Sequence, residues 1–262
     1  MAVLAGAVAL AAFTAPAAQA AATGVTVSKA VVNGGKPIVV GTSQVVTPST
    51  SYHFTLPAGY STAHPERYAV VLFLYHGTTA DKGAKAGGIY SNFEDCLEDG
   101  TRAWNCKGEL YIEPRYRLDS DNDATTWKIG ASIRLFKSNG TLAAQEYRTV
   151  AGSVQVKRQA KATVNAAPEP VKKGGTITVT GSLVRADWVK HSTTGYVAQP
   201  VRLQFLKKGA TAYTTVKTVK TGTKGALKTT VKASVDGSWR WYFGGTPTTG
   251  ATASAADYVD VR

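Results

Sequence analysis

The chain has 262 residues and a formal net charge of +13, from 30 Lys and Arg against 17 Asp and Glu. Its two cysteines lack histidines at ligand spacing, which makes a poor zinc site. Few methionines and abundant Lys, Thr and Gly suit an extracellular β-protein.

Residues 3–13, VLAGAVALAAF, form a short apolar stretch, and Ala18-Gln19-Ala20 fits the small-x-small rule for signal-peptide cleavage. Residues 1–20 therefore read as a signal peptide. The stretch is too short to span a bilayer and no stop-transfer segment follows it. Nothing basic precedes it, which leaves open whether the true start is upstream of Met1. The protein is expected to be secreted, extracellular and at most loosely attached to the cell wall.

The remaining residues suffice for two domains, 23–158 and 160–262, each with its own core. No stretch carries a sustained 3.6-residue apolar stripe, so helix is minor. Residues 26–43, TVSKAVVNGGKPIVVGTS, open the first domain, and Tyr52–Leu56 makes a further strand. Ala69–Tyr75, AVVLFLY, is apolar on both faces and suits the centre of a sheet.

His76 follows in LFLYHGT, which resembles the strand and His-Gly loop of α/β-hydrolases. Those enzymes need a G-x-S-x-G elbow to expose the nucleophile, and the chain has none. His76 reads as a turn residue and the chain as no enzyme. Catalysis would require a pocket of converging polar groups beside His76.

Residues 77–108 read as a Gly-rich, acidic insertion, with a helical turn at Phe93–Asp99. A disulfide between Cys96 and Cys106 would close a nine-residue loop there. Glu109–Glu113 supplies another strand. Asp119-Ser120-Asp121-Asn122-Asp123 then begins like an EF-hand loop, with oxygen ligands at positions 1, 3 and 5. The pattern fails at position 6, which is Ala124, and at position 12, which is Gly130. Residues 94–123 nevertheless hold nine acidic groups against four basic ones. Asp119, Asp121 and Asp123 are thus candidate Ca²⁺ ligands, with Glu94, Asp95, Glu98 or Asp99 as helpers. The other reading is a solvated Asx-rich turn.

Trp127, Ile129, Ala131, Ile133 and Leu135 alternate up to the hairpin signal Asn139-Gly140, and Ser153–Lys157 closes the domain. In the second domain the same period of two runs through Ile177 and Val179, Val201 to Phe205, Leu227 to Ala233, and Trp239 to Phe243. About seven strands result, punctuated by Gly174-Gly175, Lys208-Gly209, Lys224-Gly225 and Asp236-Gly237. The opening of the first domain is echoed by residues 163–182, TVNAAPEPVKKGGTITVTGS, and both domains close on a V-x-V strand ending in Arg. The short junction at Gln159-Ala160 makes the pair a stiff rod.

The charge is uneven. Residues 21–158 carry fifteen basic groups against twelve acidic, whereas residues 159–262 carry fifteen against five. No acidic residue lies between Asp187 and Asp236. Lys207, Lys208, Lys217, Lys220, Lys224, Lys228 and Lys232 are candidates for binding an anionic cell-wall polymer. Their other reading is as solvated strand faces that discourage edge pairing. With only Tyr213 interleaved among them, a specific nucleic-acid platform is not expected. Trp104, Tyr116 and Trp188 fall in expected loops, where they would serve carbohydrate, while Trp127, Trp239 and Trp241 read as core.

The segments GGTITVTGSLVRADW, YTTVKTVKT, DGSWRWYFGGT and SAADYVDVR resemble the tandem Ig-like secreted proteins common in actinomycetes. The resemblance spans most of residues 160–262, and the Cys-Cys-WKIGA pattern resembles the amino-terminal partner. It implies the fold, no catalytic residues, and a calcium-binding label for some members. The expectation is an all-β chain of two tandem Ig-like antiparallel β-sandwiches after a signal peptide. It would act as a non-enzymatic, extracellular interaction or structural module without a cofactor, the alternative being a Ca²⁺-binding β-sandwich protein.

Overall fold

The computed structural model describes residues 22–262; the expected signal peptide lies outside them. The first sandwich contains β1 (Thr26–Val32), β2 (Ile38–Val40), β3 (Ser49–Thr55), β4 (Tyr68–Tyr75), β5 (Ile89–Glu98), β6 (Ala103–Leu110), β7 (Thr126–Phe136) and β8 (Leu142–Arg158). Their order in space is β1-β3-β6-β5-β4-β7-β8-β2. All pairings are antiparallel except that of β2 with β8, which is parallel. Strand β5 pairs with β6 from Ser91 onward, whereas Ile89 and Tyr90 pair with β4, so it stitches one layer to the other. In chain order these are strands A, A′, B, C, D, E, F and G of an Ig-like domain.

The alternation of apolar residues places Val70, Leu72 and Leu74 of β4 in the core with Ile129, Ala131 and Ile133 of β7. The opposite face of β4 is apolar because it is also covered. Phe73 and Tyr75 pack against Ala80 of a short helix, α1 (Ala80–Lys85), whose first turn is capped by the Thr79 side chain. Phe73 lies flat on Gly130, where a Cβ would fall 2.4 Å from its ring. A second short helix, α2 (Pro114–Arg117), precedes β7.

Residues 77–108 are therefore not a loop insertion. They hold α1, β5 and most of β6, and Phe93–Glu98 lies in extended strand rather than a helical turn, with Asp99 just beyond it. Cys96 and Cys106 are bonded as directly opposed residues of β5 and β6. The acidic composition hid this strand pair, in which Asp95 lies across from Lys107.

The second sandwich contains β9 (Ala160–Ala167), β10 (Thr176–Asp187), β11 (Ser192–Gly195), β12 (Pro200–Lys207), β13 (Thr214–Lys220), β14 (Ala226–Lys232), β15 (Gly237–Phe243), β16 (Thr252–Ala253) and β17 (Asp257–Val259). Strand β10 carries β9, β14 and β11; the facing layer runs β13-β12-β15, with β16 and β17 on β15. Nine strands replace the expected seven because β11 is an added hairpin arm and the closing strand is split. Trp241 crosses β10 at Gly181, where a Cβ would meet the Thr163 carbonyl at 2.1 Å.

The two Gly-Gly turns are not equivalent. Gly34-Gly35 separates β1 from β2, whereas Gly174-Gly175 precedes β10, the counterpart of β3. The closing strands do correspond. Val171 bridges Val261 in parallel, as β2 does β8.

Strand β8 ends at Arg158 and β9 begins at Ala160, and the junction is itself hydrogen-bonded. Arg158 donates its N–H to the Thr248 carbonyl at 3.0 Å and accepts from Gly250 at 2.9 Å. Gln159 donates to Val40 and accepts from Ala186, both at 2.8 Å. Beyond the end of β10, Trp188 is fully buried in the first sandwich's core, its indole N–H donating to the Gly41 carbonyl at 2.9 Å. Replacing Trp188 with Ala should cost about 3–5 kcal/mol. Hydrogen exchange should show the lost protection in β2 and β8; a loss confined to β10 would contradict this packing.

Candidate functional site

The acidic string Asp119–Asp123 forms a single 3-10 turn. Ser120 caps it, accepting the Asn122 N–H, while Asp123 accepts the Ser120 N–H at 3.1 Å. The three candidate Ca²⁺ carboxylates diverge from there. Asp119 is exposed. Asp121 forms an ion pair with the buried guanidinium of Arg158 and accepts the Trp188 N–H at 3.1 Å. Asp123 is buried and contacts His76 Nε2 at 3.1 Å. Among the described residues no three His, Cys, Asp or Glu side chains group to hold a metal ion.

His76 does border a cavity. It measures 110 Å³ and is lined also by Tyr116, Arg117, Asp119, Asp123 and Trp127. The imidazole stands edge-on to Trp127, with ring centres 4.5 Å apart. Burial pushes the Asp123 carboxyl up, against the opposing pull of the Ser120 N–H and of His76. The dyad orients an imidazole, but no Ser, Cys or Thr lines the cavity to be activated by it.

Three of the helper acids, Glu94, Asp95 and Glu98, are residues of β5, and Asp99 follows it. Glu94 is drawn inward, where its Oε2 lies 2.7 Å from Tyr52 Oη, and Tyr52 Oη lies 2.6 Å from the Val70 carbonyl. One phenolic proton cannot fill both contacts. A protonated Glu94 fills the second by donating to Tyr52. Burial pushes Glu94 up, and its Oε1 is buried without a partner. Burial, with Glu94 beside it, also pushes the Tyr52 phenol up.

Of the candidate carbohydrate aromatics, Tyr116 is 83% exposed, though it lies on the short helix α2 and not in a loop. Trp104 is half-buried and donates to Tyr68 Oη at 2.8 Å. Trp188 is not available to any ligand. Trp127, Trp239 and Trp241 are core.

The seven lysines do not form one cluster. Lys217 and Lys220 lie on β13, Lys228 and Lys232 on β14, and Lys224 in the turn between, all exposed. These two strands are neighbouring edges of opposite layers. Lys207 and Lys208 sit at the distal end, with Lys173 and Arg262, around a concavity of 380 Å³. Lys208 there pairs with Asp236 at 3.1 Å.

No family model matches the chain, and no curated protein matches it. Among solved structures it is similar to the fibronectin(III)-like modules of Clostridium thermocellum CbhA, with 14% identity and a TM-score of 0.28, over 90% of this chain and 92% of that one. The Escherichia coli adhesin FdeC gives 11% and 0.34 over 91% and 64%, and a marsupial T cell receptor gives 10% and 0.36 over 90% and 73%. At these scores the likenesses say nothing about what this chain binds.

Two outcomes are expected. Asp121→Ala strands a buried guanidinium, and should cost about 2 kcal/mol after allowance for the carboxylate's partial exposure. Thermal unfolding should show that loss equally in EDTA and in millimolar Ca²⁺; a loss seen only with Ca²⁺ would make Asp121 a metal ligand instead. For Glu94, a folded-state value above the unfolded one contributes stability at low pH that is lost as pH rises through the raised value. Glu94→Gln should therefore raise the melting temperature at neutral pH, with the gain vanishing in acid. A loss of stability at neutral pH would show that the carboxylate is held charged.

Proposed function

We propose that this chain is a non-enzymatic, extracellular binding module whose rigid pair of sandwiches holds an anionic cell-surface polymer on the second domain. The observation that carries this reading is the carboxylate-free run from Val189 to Val235, which folds into β11 to β14 and leaves a flank of the second sandwich cationic and exposed. Cations on fixed strands present a continuous positive field, which concentrates a polyanion without needing a pocket. The first sandwich, near neutral and locked to the second through Trp188 and the backbone of Arg158, sets the direction in which that flank faces.

Attraction of this kind is screened. The Debye length falls from about 10 Å at 0.1 M salt to about 3 Å at 1 M. The chain without residues 1–20, applied to immobilised polygalacturonate at low ionic strength, should be retained and should elute well below 1 M salt. Passage through the column at low salt would overturn the reading.

A further inference from the structure

The outward face of β12 and β15 differs from the rest of the cationic flank. Val201, Leu203, Trp239, Trp241 and Phe243 point into the core, so Arg202, Gln204, Arg240 and Tyr242 point out. Arg202 lies directly across from Tyr242, and Gln204 across from Arg240. The Arg240 guanidinium stacks on Tyr213 at 3.6 Å from the ring centre and donates its Nε–H to Gln204 at 2.9 Å. The Arg202 guanidinium lies 5.7 Å from the Tyr242 ring centre. No carboxylate stands among the outward residues of the two strands. At its Arg202 end the face runs into a concavity of 430 Å³ that Thr218, Gly244 and Gly245 help to line.

We propose that this face is the docking site for the anionic polymer, and that the polymer is an acidic glycan. The inference rests on the polyanion reading above and names its site. An arginine is weakly hydrated and presents a planar fork of N–H donors that matches a carboxylate, whereas a lysine offers a strongly hydrated point charge. Stacking and the Gln204 bond fix Arg240 before any ligand arrives, so little side-chain entropy remains to be lost on binding. The two arginines occupy diagonal positions on neighbouring strands, about 7–8 Å apart at the backbone, a separation suited to successive acid groups on a sugar polymer. Tyr213 and Tyr242 supply flat apolar surface for the sugar rings between those groups. Lys228 and Lys232, outward on β14, have threonines on the opposed strand and no aromatic residue. They contribute field but no platform.

The test compares binding of polygalacturonate, polyglutamate and neutral dextran to the chain without residues 1–20 at fixed salt. The wild type should prefer polygalacturonate to polyglutamate of equal charge and ignore dextran. The double variant R202A/R240A should lose about tenfold or more for polygalacturonate, the scale of losing one or two charged hydrogen bonds. R202K/R240K should not restore it. K228A/K232A removes the same charge from the other layer and should cost less than about threefold. Unchanged melting temperatures would show that each variant is folded. Equal losses from the arginine and lysine pairs, or equal affinity for polyglutamate, would overturn the platform and leave the polyanion reading standing. Absence of wild-type binding to every polyanion would overturn both.

Discussion

The buried guanidinium of Arg158 is the group around which the rest of the molecule is arranged. It lies on the last residue of β8, one residue before the second sandwich begins, and it is 5% exposed. A cation in that position costs several kcal/mol of lost hydration unless a partner is fixed beside it. Asp121 is that partner, held by the capped turn that also seats Asp123. The same carboxylate accepts the backbone N–H of Trp188 from the other sandwich. One acid therefore neutralises the end of the first domain and ties down the residue that completes its core. The two sandwiches share a strand-to-strand junction, the hydrogen bond from Trp188 to Asp121 and a hydrophobic residue, so their relative orientation is built from the same contacts as their folding.

That arrangement accounts for an uneven use of charge. The first sandwich spends acidic groups internally. Asp121 and Asp123 serve the junction and the turn, Glu94 serves the bond to Tyr52, and Glu146 holds the Arg148 guanidinium and the Thr23 N–H. Arg148 beside it, against the cost of burial, pulls the Glu146 carboxyl down to about 2. The second sandwich has few acids to spend. Asp236 receives the Val261 N–H and Lys208, and Asp257 receives the Ala166 N–H. Its lysines are left to face solvent. With fifteen basic groups in each domain, the excess of positive charge is thus a matter of which acids were omitted.

Most strands are legible in the sequence because one face of each is wet. Trp127 to Leu135 and Trp239 to Phe243 alternate without interruption, and both are found where the period of two puts them. The pair β5 and β6 was illegible for the opposite reason. Its acids and glycines are those of a loop, and its identity as sheet comes from partners distant in sequence on β3 and β4. Trp188 did leave a signal. Ile177, Val179 and Leu183 face the second core at odd positions, but Ala186 and Trp188 are apolar at even ones. A change of parity within one strand means that its end packs against a different layer. No local pattern could have named that layer, because Gly41 and Asp121 are far away along the chain.

The candidate metal ligands illustrate how little spacing alone fixes. Oxygen atoms at positions 1, 3 and 5 of a loop coordinate an ion only if the backbone curls to bring them inward. Here the curl is a 3-10 turn stabilised by its own cap, and it sends Asp121 and Asp123 to different partners, one a cation on a neighbouring strand and one an imidazole. The basic face of the second sandwich is the converse case. Lysines draw attention in a sequence by their number, yet a field of flexible ammonium groups has no geometry of its own. Arg202 and Tyr242, like Gln204 and Arg240, are more than thirty residues apart in the chain, and the four become a surface only when β12 and β15 pair. Specificity on a sheet belongs to cross-strand neighbours, which is why the proposed glycan platform is placed on the alternating strands and not on the charge runs.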